Sequence, residues 1–400
     1  MTFTASGSPA FAAALVMALA PFAAGSAAAA ATSETTVRYV SQRLPVQGIG
    51  RESAAERPRV VPATRHAAAV ARGASHWRLQ APLPGAVVHD LAFPTAQVGY
   101  AAAELGQVWK TSDGGENWTR VMDLGFPYYW YGIHAFNALD VVVSGFDNQA
   151  FTGVLRWSHD GGETWSDDVV LVEQGWSGRV RFAGDQLGLV LDITNFNDVN
   201  MSHHTSNGGL AGSDWLDVVP DPDGGWFGNQ FSLLQSGRAR ASGITWCDSA
   251  NAGADWTCGP AVDPVFDGPV HFFDEANGWV GGGSITPEVA GWLHHTADGG
   301  ATWSGRTLEA AWPIREILFV SDRTGWAAGG NIYSNVGGMY YSNDGGETWA
   351  ADFDSEGYEM AACAHAGLRL WCAGFNAAFD GAVYTLDLDP VFQDGFDGAP

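Results

Sequence analysis

The chain is short of positive charge. Of its 400 residues, 19 are lysine or arginine against 44 aspartate or glutamate, a formal net charge of −25. The shortage is uneven: residues 32–78 hold eight basic and three acidic residues, which leaves 11 basic and 41 acidic ones in 79–400. So acidic a body excludes nucleic acid as a partner, because phosphate contacts need clustered Lys and Arg. Cysteine is scarce too, with four. No Cys-x-x-Cys pair or paired-histidine spacing accompanies them, so a metal site is not expected. Helical periodicity is nearly absent beyond the N-terminus, and no later apolar run is long enough to span a bilayer. There is no P-loop, dinucleotide fingerprint or Ser-His-Asp signature. The loop Asp221-Pro222-Asp223 offers oxygen ligands for Ca2+, but EF-hand spacing is missing and no cofactor is expected.

The apolar run at the start, Phe11 to Gly25 (FAAALVMALAPFAAG), leads into Ala-x-Ala options near Ala27 to Ala31. Residues 1–31 therefore read as a signal peptide, although no Lys or Arg precedes the run, and a periplasmic or secreted location is expected. Residues 32–75, rich in Ala, Arg, Pro and Ser, read as a flexible basic linker or pro-segment. Residues 391–400 (VFQDGFDGAP) form a tail beyond the last repeat.

What the chain has in quantity is repetition. One short motif recurs as TSDGGENW (Thr111 to Trp118), SHDGGETW (Ser158 to Trp165), SANAGADW (Ser249 to Trp256), TADGGATW (Thr296 to Trp303) and SNDGGETW (Ser342 to Trp349). A stretched copy runs from Thr205 to Trp215, and the gaps between closing tryptophans are 47, 50, 41, 47 and 46 residues. A period of this length marks a propeller or a solenoid. Asp-Gly-Gly is turn chemistry: the carboxylate accepts nearby backbone N–H groups and the glycines take positive φ. Apolar runs flank each copy, so each reads as a hairpin turn whose closing Trp starts the next strand and packs back over it. Asp113, Asp160, Asp298 and Asp344, with Trp118, Trp165, Trp303 and Trp349, are thus structural residues in this reading.

The pattern S/T-x-D-x-G-x-T-W resembles the Asp-box, or BNR, repeat of sialidases, sortilin-type receptors and photosystem II assembly and stability factors. The flanking strings FVSDRTGW (Phe319 to Trp326), FDEANGW (Phe273 to Trp279) and FPTAQVGY (Phe93 to Tyr100) are most similar to the last group. The resemblance spans about residues 77–388 and implies an all-β propeller of four-stranded blades. Seven blades can be counted within 76–390. The seventh, from Tyr358 to about Leu388, lacks an Asp-Gly-Gly turn and hence its outer strand. The spare strand His76 to Gln80 would complete it and close the ring, removing two exposed sheet edges. A monomer is expected. Cys247 and Cys258 bracket one turn, and Cys363 and Cys372 another, so two local disulfides are expected. Four cysteines allow three pairings, however, and the sequence does not choose among them.

In such a ring the Asp-Gly-Gly turns lie on one face. The opposite face gathers the inter-blade loops, each with an aromatic residue: Phe126, Tyr128, Tyr129, Trp130 and Tyr131, then Trp176, Trp226, Phe227, Phe266, Trp312 and Tyr358. The other loops there add Phe146, Phe151, Phe196, Tyr333 and Phe379 among Asn148, Asn195, Asn197, Asn335 and Asn376. Aromatic faces with amide neighbours suit a protein hot spot or a sugar. The ligand-binding candidates are Tyr128, Tyr129, Trp130, Trp176, Trp226, Trp312 and Tyr358. Near the channel mouth the innermost strands bring His89, Asp90, His134, Arg179, Arg181, His271, Arg315 and Glu316. Strand alternation decides which of these point inward.

Two functions compete. A binding or assembly module for a protein or glycan needs only a rigid, patterned face, as the receptor and assembly-factor resemblance implies. A glycan-active enzyme needs more. The sialidase resemblance would require Arg-Ile-Pro, whereas the nearest string is Trp312-Pro-Ile-Arg315. A hydrolase would need two carboxylates about 5–10 Å apart, with Asp90 and Glu316 as candidates. A polysaccharide lyase could use His134 with Tyr129. The binding module is the preferred expectation; the hydrolase or lyase is its alternative.

Overall fold

The computed structural model describes residues 77–388 except 195–200, 220–226, 244, 261–267, 285–289, 309–311 and 335. The leader, the basic linker and the tail lie outside the described residues, as do Asp221, Asp223 and Trp226. Seven antiparallel four-stranded sheets form the blades of an all-β propeller. The innermost strands are Val88–Ala92, Tyr128–Ala135, Gly175–Ala183, Phe227–Leu233, Val270–Phe272, Ile314–Phe319 and Glu359–Ala366, for blades 1 to 7 in order. Six blades are continuous in sequence. Blade 7 takes its outer strand from the start of the described chain, where Arg78 pairs with Thr385 and Leu79 with Tyr384. This is the closure expected from the sequence. Trp77 anchors it, donating its indole N–H to Asp352 at 2.8 Å and meeting Trp326 edge-on.

Each Asp-Gly-Gly turn is an internally bonded unit. In blade 1 the Thr111 hydroxyl donates to Asp113 (2.8 Å) and accepts the Gly115 N–H (2.8 Å), while Asp113 accepts the Asn117 N–H (2.9 Å). Ser158, Thr296 and Ser342 repeat the arrangement with Gly162, Gly300 and Gly346. In the degenerate copy Asn251 replaces the aspartate and keeps the bonds to Ser249 and the Asp255 N–H. The Thr164 and Thr302 hydroxyls and backbone N–H groups hold Asp160 and Asp298 down to about 2. These carboxylates are occupied as acceptors, which leaves them poor bases. Trp303 and Trp349 fold back and donate to the carbonyls of Gly300 and Gly346, both at 3.0 Å.

The turns also join neighbouring blades. Trp371 of blade 7 stacks on Phe93 at 3.7 Å and donates to the Gly114 carbonyl of blade 1 at 2.8 Å. Lys110 of blade 1 reaches the Gly161 carbonyl of blade 2 at 2.7 Å. The closing seam is therefore built like the others. Tight contact explains the second glycine: at Gly346 φ is +81° and an added Cβ would stand 2.3 Å from the Trp279 indole nitrogen. Gly346→Ala is expected to lose at least ~2 kcal/mol, more than the ~1 kcal/mol expected at Gly367, which has positive φ but open space around it. Urea unfolding of the two variants checks this.

Both disulfides are local. Cys247 bonds Cys258 and Cys363 bonds Cys372, each pair directly opposite across adjacent strands with Cα atoms 4.2 and 4.1 Å apart.

Candidate functional site

The turns define one face of the ring, because each is hydrogen-bonded to the loop between the first two strands of its own blade. Gly114 N–H bonds the Gln97 carbonyl, Gly161 bonds Leu139, Gly299 bonds Ala276 and Gly345 bonds Arg323. The second-to-third-strand hairpins and the inter-blade loops share the other face, where Leu124 N–H bonds the Gly106 carbonyl and Gln174 bonds Phe151.

The centre of the ring is set by β-bulges. In every blade but the fifth, the innermost strand slips register against its neighbour. The slips lie at Val88/Asp90, Trp130/Gly132, Ser177/Val180, Phe227/Phe231, Ile314/Glu316 and Met360/Ala362. A bulge inserts an unpaired residue and re-aims the side chains around it. The residues in these bulges meet one another. Arg179 of blade 3 donates to Gln230 of blade 4 (3.4 Å), to the His89 carbonyl of blade 1 (3.5 Å) and to the Ala361 carbonyl of blade 7 (3.1 Å). It also pairs with Glu316 of blade 6 at 2.6 Å. Gln230 in turn donates to the Arg315 carbonyl at 3.2 Å. One guanidinium thus ties four other blades across the centre.

The catalytic candidates fall around this plug. Asp90 is buried, takes both Arg181 nitrogens at 2.7 and 2.9 Å, and accepts the Ile133 N–H at 2.9 Å. Burial alone would raise its pKa, but the Arg181 and Arg179 guanidiniums outweigh it and hold the carboxyl below its usual range. Glu316 is lifted by burial despite Arg179. Arg315 pairs with Glu359 at 2.9 Å. The two carboxylates proposed for glycan hydrolysis are therefore committed to arginines. His134 is pushed down to about 3 by burial and by Arg181, and it packs against Phe136 and Phe182. His271 falls to about 4 through burial and the nearby His365; its Nε2 accepts the Phe319 N–H at 3.3 Å, as a neutral imidazole does. The pairing of His134 with Tyr129 needs correction. They stand near opposite ends of the same strand, Tyr128–Ala135. Five residue steps along the strand set them about 16 Å apart, too far to act on one bond.

The aromatic set divides. Trp130 is corrected: it is 0 % exposed and lies in the core shared by blades 1 and 2, not on a face. Tyr128 donates to Asp168 at 2.8 Å under the Arg156 guanidinium. Trp176 packs edge-on to Phe146, Trp312 tilts over Tyr340, and Tyr358 meets Tyr384. The open side chains on this face are instead Phe126 (65 % exposed), Tyr333 (65 %) and Phe379 (49 %), together with Leu105 and Leu124. Leu105, Phe151 and Phe379 have φ of 57°, 62° and 62°. Such values strain bulky residues by about 1–3 kcal/mol each. Side-chain bonds hold two of these hairpins in place. Asn376 accepts the Ala378 and Asp380 N–H groups, and Asp147 accepts those of Gln149 and Ala150.

At the channel mouth on this face lies a group the sequence reasoning missed. Glu104, at the tip of the blade 1 hairpin, contacts His89 Nε2 at 3.2 Å, and the His89 ring lies 5.0 Å from that of Tyr131. No motif marks Glu104, Gln230 or Glu359; the bulges that assemble them have no sequence signature. On the turn face a groove lies at the seam of blades 7 and 1, between Phe93–Gln97 and His365–Arg369. Its guanidinium, Arg369, is already paired with Asp387 at 2.5 Å. Among the described residues no cluster of three or more His, Cys, Asp or Glu is placed to hold a metal ion, and no helix is long and apolar enough to cross a membrane.

These features define a seven-bladed propeller with an ion-paired centre and one aromatic loop face. No family model and no curated protein matches the sequence. Among solved structures the chain is similar to YCF48 bound to a D1 peptide, with a TM-score of 0.59 and 14% identity over 80% of this chain and 98% of that one. It is also similar to YCF48 from Cyanidioschyzon merolae, with a TM-score of 0.58 and 20% identity over 78% of this chain and 99% of that one. At these identities the likeness establishes the fold.

Proposed function

We propose that the protein is an exported binding or assembly module that takes a segment of another protein on its loop face. The observation that carries this reading is the set of bulky apolar side chains exposed on the loops of that face. Phe126, Tyr333 and Phe379 are open to solvent, and Phe379 sits in a left-handed turn that the chain maintains at a cost. An exposed apolar set on a rigid ring is the usual mark of an interaction surface. A propeller of the same fold has been seen with a peptide bound. Two disulfides support an oxidising compartment. The glycan-active alternative loses support from the pairing of Asp90 and Glu316 with arginines.

The test is a peptide-display selection on the full chain, repeated with the triple variant Phe126→Ser/Tyr333→Ser/Phe379→Ser. Selected peptides are expected to lose about tenfold or more in affinity, since truncated hot-spot residues each cost about 1–2 kcal/mol. Unchanged binding by the variant would refute the reading. Retention of an oligosaccharide that depends on the same three residues would replace it with a glycan-binding one.

A further inference from the structure

Where it is described around blades 6, 7, 1 and 2, the loop face is short of positive charge. Around blades 6, 7, 1 and 2 its described loops are 80–87, 104–106, 124–127, 148–151, 332–334, 355–358 and 376–380, and none contains Lys or Arg. These loops and the strand ends feeding them present Glu104, Glu173, Asp354, Glu356 and Asp380. Arg315, near the loop side of the centre, is held by Glu359.

The channel mouth concentrates this pattern. The Glu104 backbone bridges to Tyr129 of blade 2. Its carboxylate is 30 % exposed and contacts His89, whose ring lies edge-on to Tyr131 at 5.0 Å and to Phe375 at 6.2 Å. Burial raises the hydroxyl pKa of Tyr129 and Tyr131, and the nearby Glu104 charge adds to it in both. A partly exposed carboxylate beside aromatic rings is the chemistry that holds an ammonium or guanidinium. An anionic ligand would find no arginine or lysine on the surrounding loops.

We infer that the channel mouth, at Glu104, Tyr129 and Tyr131, takes a lysine or arginine side chain from the bound protein segment. Apolar residues of that segment lie outward on Phe379, Tyr333 and Phe126. The inference rests on the protein-binding reading above and adds the partner's character: a stretch that carries a basic residue together with apolar ones.

Three synthetic peptides of equal length test it, in which Leu alternates with Arg, Gln or Glu, titrated into the full chain at low salt. The Arg peptide is expected to bind about tenfold or more tighter than the Gln peptide, and the Glu peptide not to bind. Glu104→Gln should cost the Arg peptide about tenfold and leave the Gln peptide unchanged. Because an acidic protein attracts any cation, Glu163→Gln on the turn face is the control and should change affinity less than about twofold. Equal losses from the two variants, or equal binding of the Arg and Gln peptides, overturn the inference. Should Glu104→Gln fold poorly, Glu356→Lys on the rim substitutes: it must weaken the Arg peptide severalfold, and no effect overturns the inference. If the Gln or Glu peptide binds and is weakened by Phe379→Ser, the face reading stands and the cation site fails. Binding by none of the three peptides also rejects the cation site, while the face reading is judged by its own selection.

Discussion

Arg179→Met is expected to lower stability by about 3–5 kcal/mol, among the largest losses for a single change in this chain. Arg179 is 9 % exposed and stands 2.6 Å from Glu316 and 3.8 Å from Asp90. Removing it leaves Glu316 buried without its cation and strips hydrogen bonds from the His89 and Ala361 carbonyls. Breaking a buried pair on one side costs more than the pair contributes, because the remaining charge stays desolvated. The double variant Arg179→Met/Glu316→Leu removes both charges and should recover most of the loss. For a ring of this size the single variant should melt on the order of 5–10 °C lower. Calorimetry on the two variants decides. A single variant within about 1 kcal/mol of the parent would show that the centre is held by packing between blades rather than by the guanidinium.

The second large expectation is a dependence on alkaline pH. His203, on the third strand of blade 3, is fully buried between Asp192 at 2.5 Å and Asp217 at 2.8 Å. Burial alone would lower its pKa, but the two carboxylates outweigh that and raise it from 6.5 to about 10. The folded state therefore holds a proton that the unfolded chain releases near 6.5. The stabilisation is fully present below pH 6.5 and is lost as pH rises towards 10, at about 1.4 kcal/mol per pH unit and at most ~5 kcal/mol in all. Urea unfolding at pH 6, 8 and 9.5 should show this decline in the parent. His203→Gln, which cannot be protonated, should be less stable at pH 6 and nearly flat across the window. Parallel declines in parent and variant would mean that His203 is neutral in the fold.

The architecture was legible because its signals are local. An Asp-Gly-Gly turn contains the donors and acceptors it needs within eight residues, so its recurrence reports a hairpin wherever it occurs. The missing turn in blade 7 exposed the need for a closing strand, and Arg78 and Leu79 supply it. Two local disulfides were expected on those hairpins, and the structure supplies the pairing that the four cysteines left open. The aromatic face was legible as a set of loops, though not residue by residue. Trp130, Trp176 and Trp312 turn into blade packing, while Phe379 and Tyr333, on the hairpins, stand open.

The centre was illegible for a physical reason. Alternation along a strand predicts that neighbours face opposite ways. Six bulges suspend that rule, so that His89 and Asp90 both find partners towards the centre, as do Arg315 and Glu316. A bulge is decided by what the opposing blades present, and its partners here are up to 182 residues apart, as with Arg179 and Ala361. Turn chemistry and period, which act over a few residues, thus determined the blades, their number and the closure of the ring. Which carboxylates are locked to arginines, and that Glu104 is left partly exposed beside His89, was decided only when seven strands met around a common axis.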